Sequence, residues 1–282
     1  MKKELKEKLA VTIATLKRFK AEDCILIASN PRSGSTWLME LLQHMPKTAI
    51  VWEPFHVKQG VLSNKFNLGW RPIVHENKEF PKLKKQVDLI FSSKHISSWT
   101  TSKTTVKDLC KAKQLLVKSV RCTGMLKWLV QNFDFTHKPI YLVRHPIPTV
   151  LSQLKAFHDK QDAEVTLLKP IETWLQTNSD LHEHLDEKYL TIFYEDLLLN
   201  PKDELTKIEL AWGKELVRYI PSLRKASATD FQNDLQQNPR MQIEKWINQI
   251  SEQQKKELQD LFDKYALKTY SAYSAYPIKM QD

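Results

Sequence analysis

Ile25-Leu-Ile-Ala-Ser-Asn-Pro-Arg-Ser-Gly-Ser-Thr-Trp-Leu38 is an apolar run that breaks at Pro31 into a loop of small residues and then continues as a helical pattern. Strand, tight turn and helix N-terminus in that order predict a cradle for a phosphate-like anion. The N–H groups of such a turn lack carbonyl partners and converge with the positive end of the helix dipole. Ser33, Ser35 and Thr36 add hydroxyl donors beside Gly34, and Arg32 adds a permanent charge. A nucleotide-hydrolysing loop ends in Gly-Lys-Ser/Thr, with the lysine on the terminal phosphates and the hydroxyl on magnesium. This loop has no such lysine, which weighs against nucleoside triphosphate hydrolysis. Plain capping also explains a Ser/Gly turn ahead of a helix, so the loop alone decides little.

A second segment points the same way. Pro139-Ile-Tyr-Leu-Val-Arg144-His-Pro-Ile-Pro-Thr-Val-Leu-Ser152 reads as a buried strand ended by Arg144, with a helix starting at Pro146. Arg144 and the helix-borne Ser152 would then grip a second phosphate at the same sheet edge.

Together these segments resemble the sulfotransferases that use 3'-phosphoadenosine 5'-phosphosulfate (PAPS) and release adenosine 3',5'-bisphosphate (PAP). Pro31-Arg-Ser-Gly-Ser-Thr-Trp37 is similar to that family's 5'-phosphosulfate loop, and Arg144 with Ser152 to its 3'-phosphate pair. Tyr189-Leu-Thr-Ile-Phe-Tyr-Glu-Asp-Leu197 resembles the strand-plus-Tyr-Glu-Asp-Leu element that follows, and the ordered resemblance spans roughly residues 24 to 212. It implies a P-loop NTPase-like sulfotransferase fold and PAPS as sulfuryl donor, with no metal.

The pattern of elements agrees with an α/β fold. Strands are predicted near 25–30, 48–52, 115–120, 139–143 and 189–194, and helices near 35–45, 123–133, 146–157, 170–187 and 200–212. Such alternation implies right-handed crossovers and a mostly parallel sheet flanked by helices, with ligands at the carboxyl ends of the strands. Residues 57–112 are expected to be irregular or helical cover over the acceptor site. Residues 213–282 are expected to be C-terminal helical cover, with helix over 241–266 and Ser251 as a cap.

The 282 residues, 41% of them hydrophobic, suit one large domain over 1–282. No apolar stretch reaches the length of a membrane span, and residues 1–20 form a Lys/Glu-rich amphipathic pattern unlike a signal peptide. The expectation is a soluble, cytoplasmic protein with no membrane partner and of open oligomeric state. Cys24, Cys110 and Cys122 lack metal-ligand spacing and read as free thiols. The net charge is +10, and residues 78–127 hold twelve Lys or Arg against Glu79, Asp88 and Asp108. A solvated lysine-rich face and a field that draws in an anionic cofactor or acceptor both fit this density. Nucleic acid fits the charge too, but no nucleic-acid module accompanies it, and none is expected as partner.

The resemblance also distributes roles. Arg32 stands where many cytosolic members carry a catalytic lysine. An arginine stays charged and is a poor proton donor, so it would act by electrostatics. The Arg-Ser-Gly-Ser loop and the Glu-Pro turn in Ile50-Val-Trp-Glu53-Pro-Phe-His56 are closer to carbohydrate-type Golgi members. Cytosolic members present a histidine base after a later strand, and Val120 occupies that slot here in Leu115-Leu-Val-Lys118-Ser-Val120-Arg121. Glu53 is therefore the preferred general base, His56 the next and His95 the third. A cap at the sheet edge also accounts for Glu53, and an ordinary half-buried histidine for His56. Lys118 and Arg121 would bind the sulfuryl oxygens and brace the acceptor side. Trp37 and Tyr194 match residues near adenine, with Asp196 a possible helix cap. No Arg-Lys-Gly segment follows residue 212, and Arg240-Met-Gln-Ile-Glu-Lys245-Trp246 is its candidate substitute.

The function expected is sulfuryl transfer from PAPS to a hydroxyl or amine of a small molecule of secondary-metabolite type. A carbohydrate acceptor comes second. A P-loop kinase and a non-catalytic polyanion binder are the rivals from other classes.

Overall fold

The computed structural model describes residues 2–17, 19–62, 64–157, 167–183, 187–220 and 238–278. Its centre is β1 (Cys24–Ser29), buried along its whole length. Such a strand must be covered on both faces, which accounts for its unbroken apolar run. β1 pairs in parallel with β3 (Gln114–Ser119) on one side and β4 (Ile140–Val143) on the other. β2 (Thr48–Trp52) adds to β3, and β5 (Leu190–Phe193) to β4. The described residues thus form one five-stranded, all-parallel sheet of order β2-β3-β1-β4-β5.

Side chains alternate between two cores, as a period of two requires. Ile25, Ile27, Leu116, Ile140 and Leu142 point to one face. It is covered by Trp37, Leu38 and Leu41 of α2 (Ser35–Leu42) and by Leu205, Ile208 and Trp212 of α9 (Pro201–Trp212). Leu26, Ala28, Val117, Tyr141 and Val143 point to the other face. There α1 (Lys2–Leu16), α3 (Pro81–Phe91), α5 (Leu126–Asn132), α6 (Pro146–Phe157) and α7 (Leu168–Glu183) pack. α4 (Val106–Lys111) and α8 (Tyr194–Leu199) are single short turns before β3 and after β5.

Several expected boundaries move. The strand expected over 189–194 ends at Phe193, because Tyr194 already opens α8. The helix expected over 170–187 runs from Leu168 to Glu183, and residues 184–186 lie outside the described residues. Residues 57–112 contain two helices, α3 and α4, that their irregular patterning did not locate. The single helix expected over 241–266 is two, α10 (Pro239–Glu244) and α11 (Glu252–Lys264), the latter capped by Ser251 with Gln254 in a reciprocal capping box. Asp196 caps nothing. It lies in the first turn of α8, and the residue preceding α9 is Asn200. No described helix is long and apolar enough to cross a membrane.

Candidate active site

The loop between β1 and α2 rests on two left-handed residues, Arg32 (φ 68°) and Gly34 (φ 85°). Gly34 is required twice over: a side chain is strained at that φ, and a Cβ would sit 2.6 Å from the Tyr194 ring. Tyr194, at the head of α8, therefore presses on the loop, and its ring also lies beneath the Arg144 guanidinium, 4.8 Å away. The Leu38 N–H to Gly34 C=O bond closes the first turn of α2, so helical geometry leaves the N–H groups ahead of Leu38 outside the intrahelical ladder. Ser33 is fully buried, with no hydrogen-bond partner for its hydroxyl among the described residues. Ser35, Thr36 and Trp37 are buried too, Trp37 edge-on to Tyr194 at 6.2 Å.

The loop opens onto a cleft of about 590 Å³. Arg32, Arg144, Lys155 and Lys245 line it together with Ser152, Tyr194 and Trp246, and no carboxylate does among the described residues. Arg32 Nε donates to Ser152 Oγ at 3.0 Å, and Arg144 Nη1 donates to the Arg32 carbonyl at 3.0 Å. Arg32 thus reaches toward the partner that the sequence assigned to Arg144, and the three residues form one connected group. Lys245 lies in this cleft, whereas Arg240 is exposed and does not line it.

Glu53 and Lys118 meet at the ends of neighbouring strands. Glu53 follows β2 in a left-handed conformation (φ 44°), a strained geometry held from several sides. Its N–H donates to the Lys118 carbonyl at 2.9 Å, one carboxylate oxygen takes the Lys118 ammonium at 2.5 Å, and the other takes the Val120 N–H at 3.0 Å. Both side chains are about 5% exposed or less, and the Trp52 ring lies 4.4 Å from the ammonium. The pair is charge-neutral and dry, yet a carboxylate has more lone pairs than these two bonds use.

His56 stands beside this pair on the next turn. Its Nδ1 accepts from the N–H groups of Lys58 (3.3 Å) and Gln59 (3.2 Å), so the neutral ring carries its proton on Nε2, which is then a donor. Burial and then the Arg121 cation hold its pKa below the ordinary histidine value, against the pull of Glu53. His95 is exposed after α3.

Several participants were not among the site residues that the sequence singled out. Gln153 donates to the Pro31 carbonyl at 2.8 Å, pinning the loop to α6. Glu195, buried behind Arg144, accepts from the His145 N–H and the Tyr270 hydroxyl, each at 2.9 Å. Burial raises its pKa to about 7. His145 is packed between Trp246 and Tyr270, and burial lowers its pKa to about 3. Arg71 lies in a stretch without periodicity, and only the folded chain brings it to the site. Among the described residues no group of three or more His, Cys, Asp or Glu side chains is placed to hold a metal.

A nucleotide-type cradle at the carboxyl edge of a five-stranded parallel sheet, bordered by a cationic cleft, defines a P-loop-like α/β architecture. The profile of the sulfotransferase family matches residues 24–217, and the chain belongs to that family and is a transferase. Among solved structures it is similar to mouse sulfotransferase SULT7A1 complexed with PAP, with a TM-score of 0.50 and 18% identity over 86% of this chain and 84% of that one. It is also similar to the sulfotransferase domain of the Synechococcus PCC 7002 olefin synthase, with a TM-score of 0.47 and 19% identity over 86% and 94% of the two chains. The first likeness shows the shared fold. No curated protein sequence matches the chain.

Proposed function

We propose that the chain transfers a sulfuryl group from PAPS to a hydroxyl or amine of a small-molecule acceptor. The observation that carries this reading is the cleft beside the loop. Among the described residues four cations and no carboxylate line it, and Tyr194 and Trp246 offer aromatic surface. A ligand with phosphates at two positions of one ribose and a flat base on the same sugar fits such a lining. PAPS supplies an activated sulfuryl group on a good leaving phosphate.

Arg144 and Ser152 hold the 3'-phosphate, with Lys245 along the same wall. The loop from Ser33 to Thr36 holds the 5'-phosphate through its N–H groups and hydroxyls, the orphaned Ser33 hydroxyl included. Arg32 stabilises negative charge as it grows on the departing phosphate. Trp37 and Tyr194 form the base-side wall. Lys118 neutralises sulfuryl oxygens and holds Glu53, whose remaining lone pairs take the proton of the acceptor. His56, with Nε2 as donor, orients the acceptor instead of deprotonating it. A carbohydrate acceptor is the second reading, favoured by Trp70, whose ring is 46% exposed beside His56.

Two measurements test this. PAP should raise the unfolding temperature well above the shift given by ATP with magnesium, and equal shifts would remove the donor assignment. Glu53→Gln should lower turnover by about 10²-fold or more with PAP affinity nearly intact. Near-wild-type turnover on a hydroxyl acceptor would move the proton to another base.

A further inference from the structure

Two arginines beside the Glu53 pair are only partly satisfied. Arg71 Nη2 donates to Gln153 Oε1 at 3.0 Å, and Arg121 Nη1 donates to the Trp70 carbonyl at 3.2 Å. Arg71 Nη1 and Arg121 Nε are buried, and neither has a hydrogen-bond partner among the described residues. No described carboxylate lies within salt-bridge distance of either guanidinium. Burial pulls both below the ordinary arginine value, and for Arg71 the next cause is the Arg121 charge. Two partly desolvated like charges in mutual range, with N–H donors unspent, are costly to hold. An oxyanion bound between them would relieve the repulsion and the orphaned donors together.

The position of these arginines ties them to the proposed chemistry. Gln153, the partner of Arg71, also holds the Pro31 carbonyl at the start of the anion loop. Arg121 is within electrostatic reach of both Glu53 and His56. Trp70 lies against the Arg121 guanidinium at 4.8 Å and edge-on to His56 at 5.4 Å, with its ring half exposed. The segment is pinned from below: Val74 N–H donates to the Gly124 carbonyl, and a Cβ on Gly124 would stand 2.6 Å from the Pro72 carbonyl oxygen.

We propose that Arg71 and Arg121 form an oxyanion subsite for the acceptor, so that the substrate carries a carboxylate, sulfate or phosphate group near its reacting hydroxyl or amine and lays a flat face on Trp70. This rests on the sulfotransferase reading above. Guanidinium forks suit such groups because they donate two parallel hydrogen bonds to one oxyanion.

The test uses the full chain saturated with PAP, saturation being established by a separate PAP titration. Three probes of one skeleton are then titrated: 6-hydroxy-2-naphthoate, 6-hydroxy-2-naphthalenesulfonate and methyl 6-hydroxy-2-naphthoate. Both anions should bind about tenfold or more tightly than the ester. That advantage should vanish in Arg71→Ala and in Arg121→Ala and survive in part in Arg71→Lys, with PAP affinity unchanged in each. Should Arg71→Ala lose PAP binding, Arg71→Gln replaces it and keeps a group for Gln153. Equal binding of the three probes, no binding by any, or an anion preference untouched by the substitutions overturns the subsite. Failure of PAP to bind the wild-type chain counts against the donor assignment instead, and the probes are then read without PAP by the same criteria.

Discussion

The cleft beside β4 and the buried pair at the ends of β2 and β3 draw on similar residues and treat their charge in opposite ways. In the cleft, Arg32, Arg144, Lys155 and Lys245 share a wall that contains no carboxylate among the described residues. At the strand ends, Lys118 is buried against Glu53, and each neutralises the other. Cations in a cleft keep part of their hydration, so under the proposed donor assignment their removal should be felt in binding. A dry ion pair has surrendered its hydration, and removing one partner strands the other. The same sheet edge thus separates residues whose loss shows as affinity from residues whose loss shows as stability.

The largest effect should come from splitting the pair. Lys118→Met leaves the Glu53 carboxylate buried without its cation and should cost about 3–5 kcal/mol in urea unfolding. Adding Glu53→Gln should recover much of that loss. A Lys118→Met protein as stable as the wild type would mean that Glu53 gains water or changes position.

The buried groups behind Arg144 should give stability a particular dependence on pH. His145 and His182 are held near a pKa of about 3 by burial, below the ordinary 6.5, so the unfolded chain binds their protons first as pH falls. Their contribution is complete above 6.5 and is lost on acidification toward 3. Glu195, raised from 4.5 to about 7 by burial, acts in the opposite sense: its contribution is complete below 4.5 and is lost as pH rises through 7. Between 4.5 and 6.5 the net is one histidine, about 1.4 kcal/mol per pH unit, and below 4.5 both histidines act together. For these three groups stability should peak near 6.5 and fall more steeply below 4.5. Urea midpoints at intervals from pH 4 to 8 would show it, and Glu195→Gln should remove the decline above 6.5.

Arg144→Ala should lower PAP affinity by about 10- to 100-fold, the worth of hydrogen bonds to a charged group. Its unfolding midpoint should move much less than that of Lys118→Met. The smallest contrast sharpens the C-terminal assignment. Lys245→Ala should weaken PAP by only a few-fold, about 1 kcal/mol or less for a solvent-exposed charge, whereas Arg240→Ala should leave it unchanged in the same calorimetric titration. The reverse order would return Arg240 to the cleft.

Much of this architecture was legible in the chain. The apolar runs of β1 and β4 and the Leu115–Val117 stretch of β3 announce strands covered on both faces, and Pro31, Pro146 and Pro201 punctuate the elements with fixed φ. The helix of 81–91 was harder to see, because its buried positions Leu83, Val87, Ile90 and Phe91 are embedded in lysines. The end of β5 shifted for a similar reason: the tertiary contacts of Tyr194 with Gly34 and Arg144, not local propensity, accompany its place at the head of the next helix.

The site divides along the same line. Arg32, Glu53, Lys118, Arg144 and Tyr194 stand at strand ends or in the turns that follow them, where period and punctuation alone place them at the carboxyl edge of a parallel sheet. Sequence order says nothing of which of them touch. That Arg32 turns to Ser152, that Glu53 is closed onto Lys118, and that Arg71 reaches the anion loop through Gln153 are contacts across 120, 65 and 82 residues of chain respectively. Local pattern encodes the hydrogen-bonding period of a segment and the face it buries. Contacts between segments depend on sheet register, on left-handed turns at Arg32 and Glu53, and on the balance of desolvation against pairing, all of which exist only once the strands lie side by side.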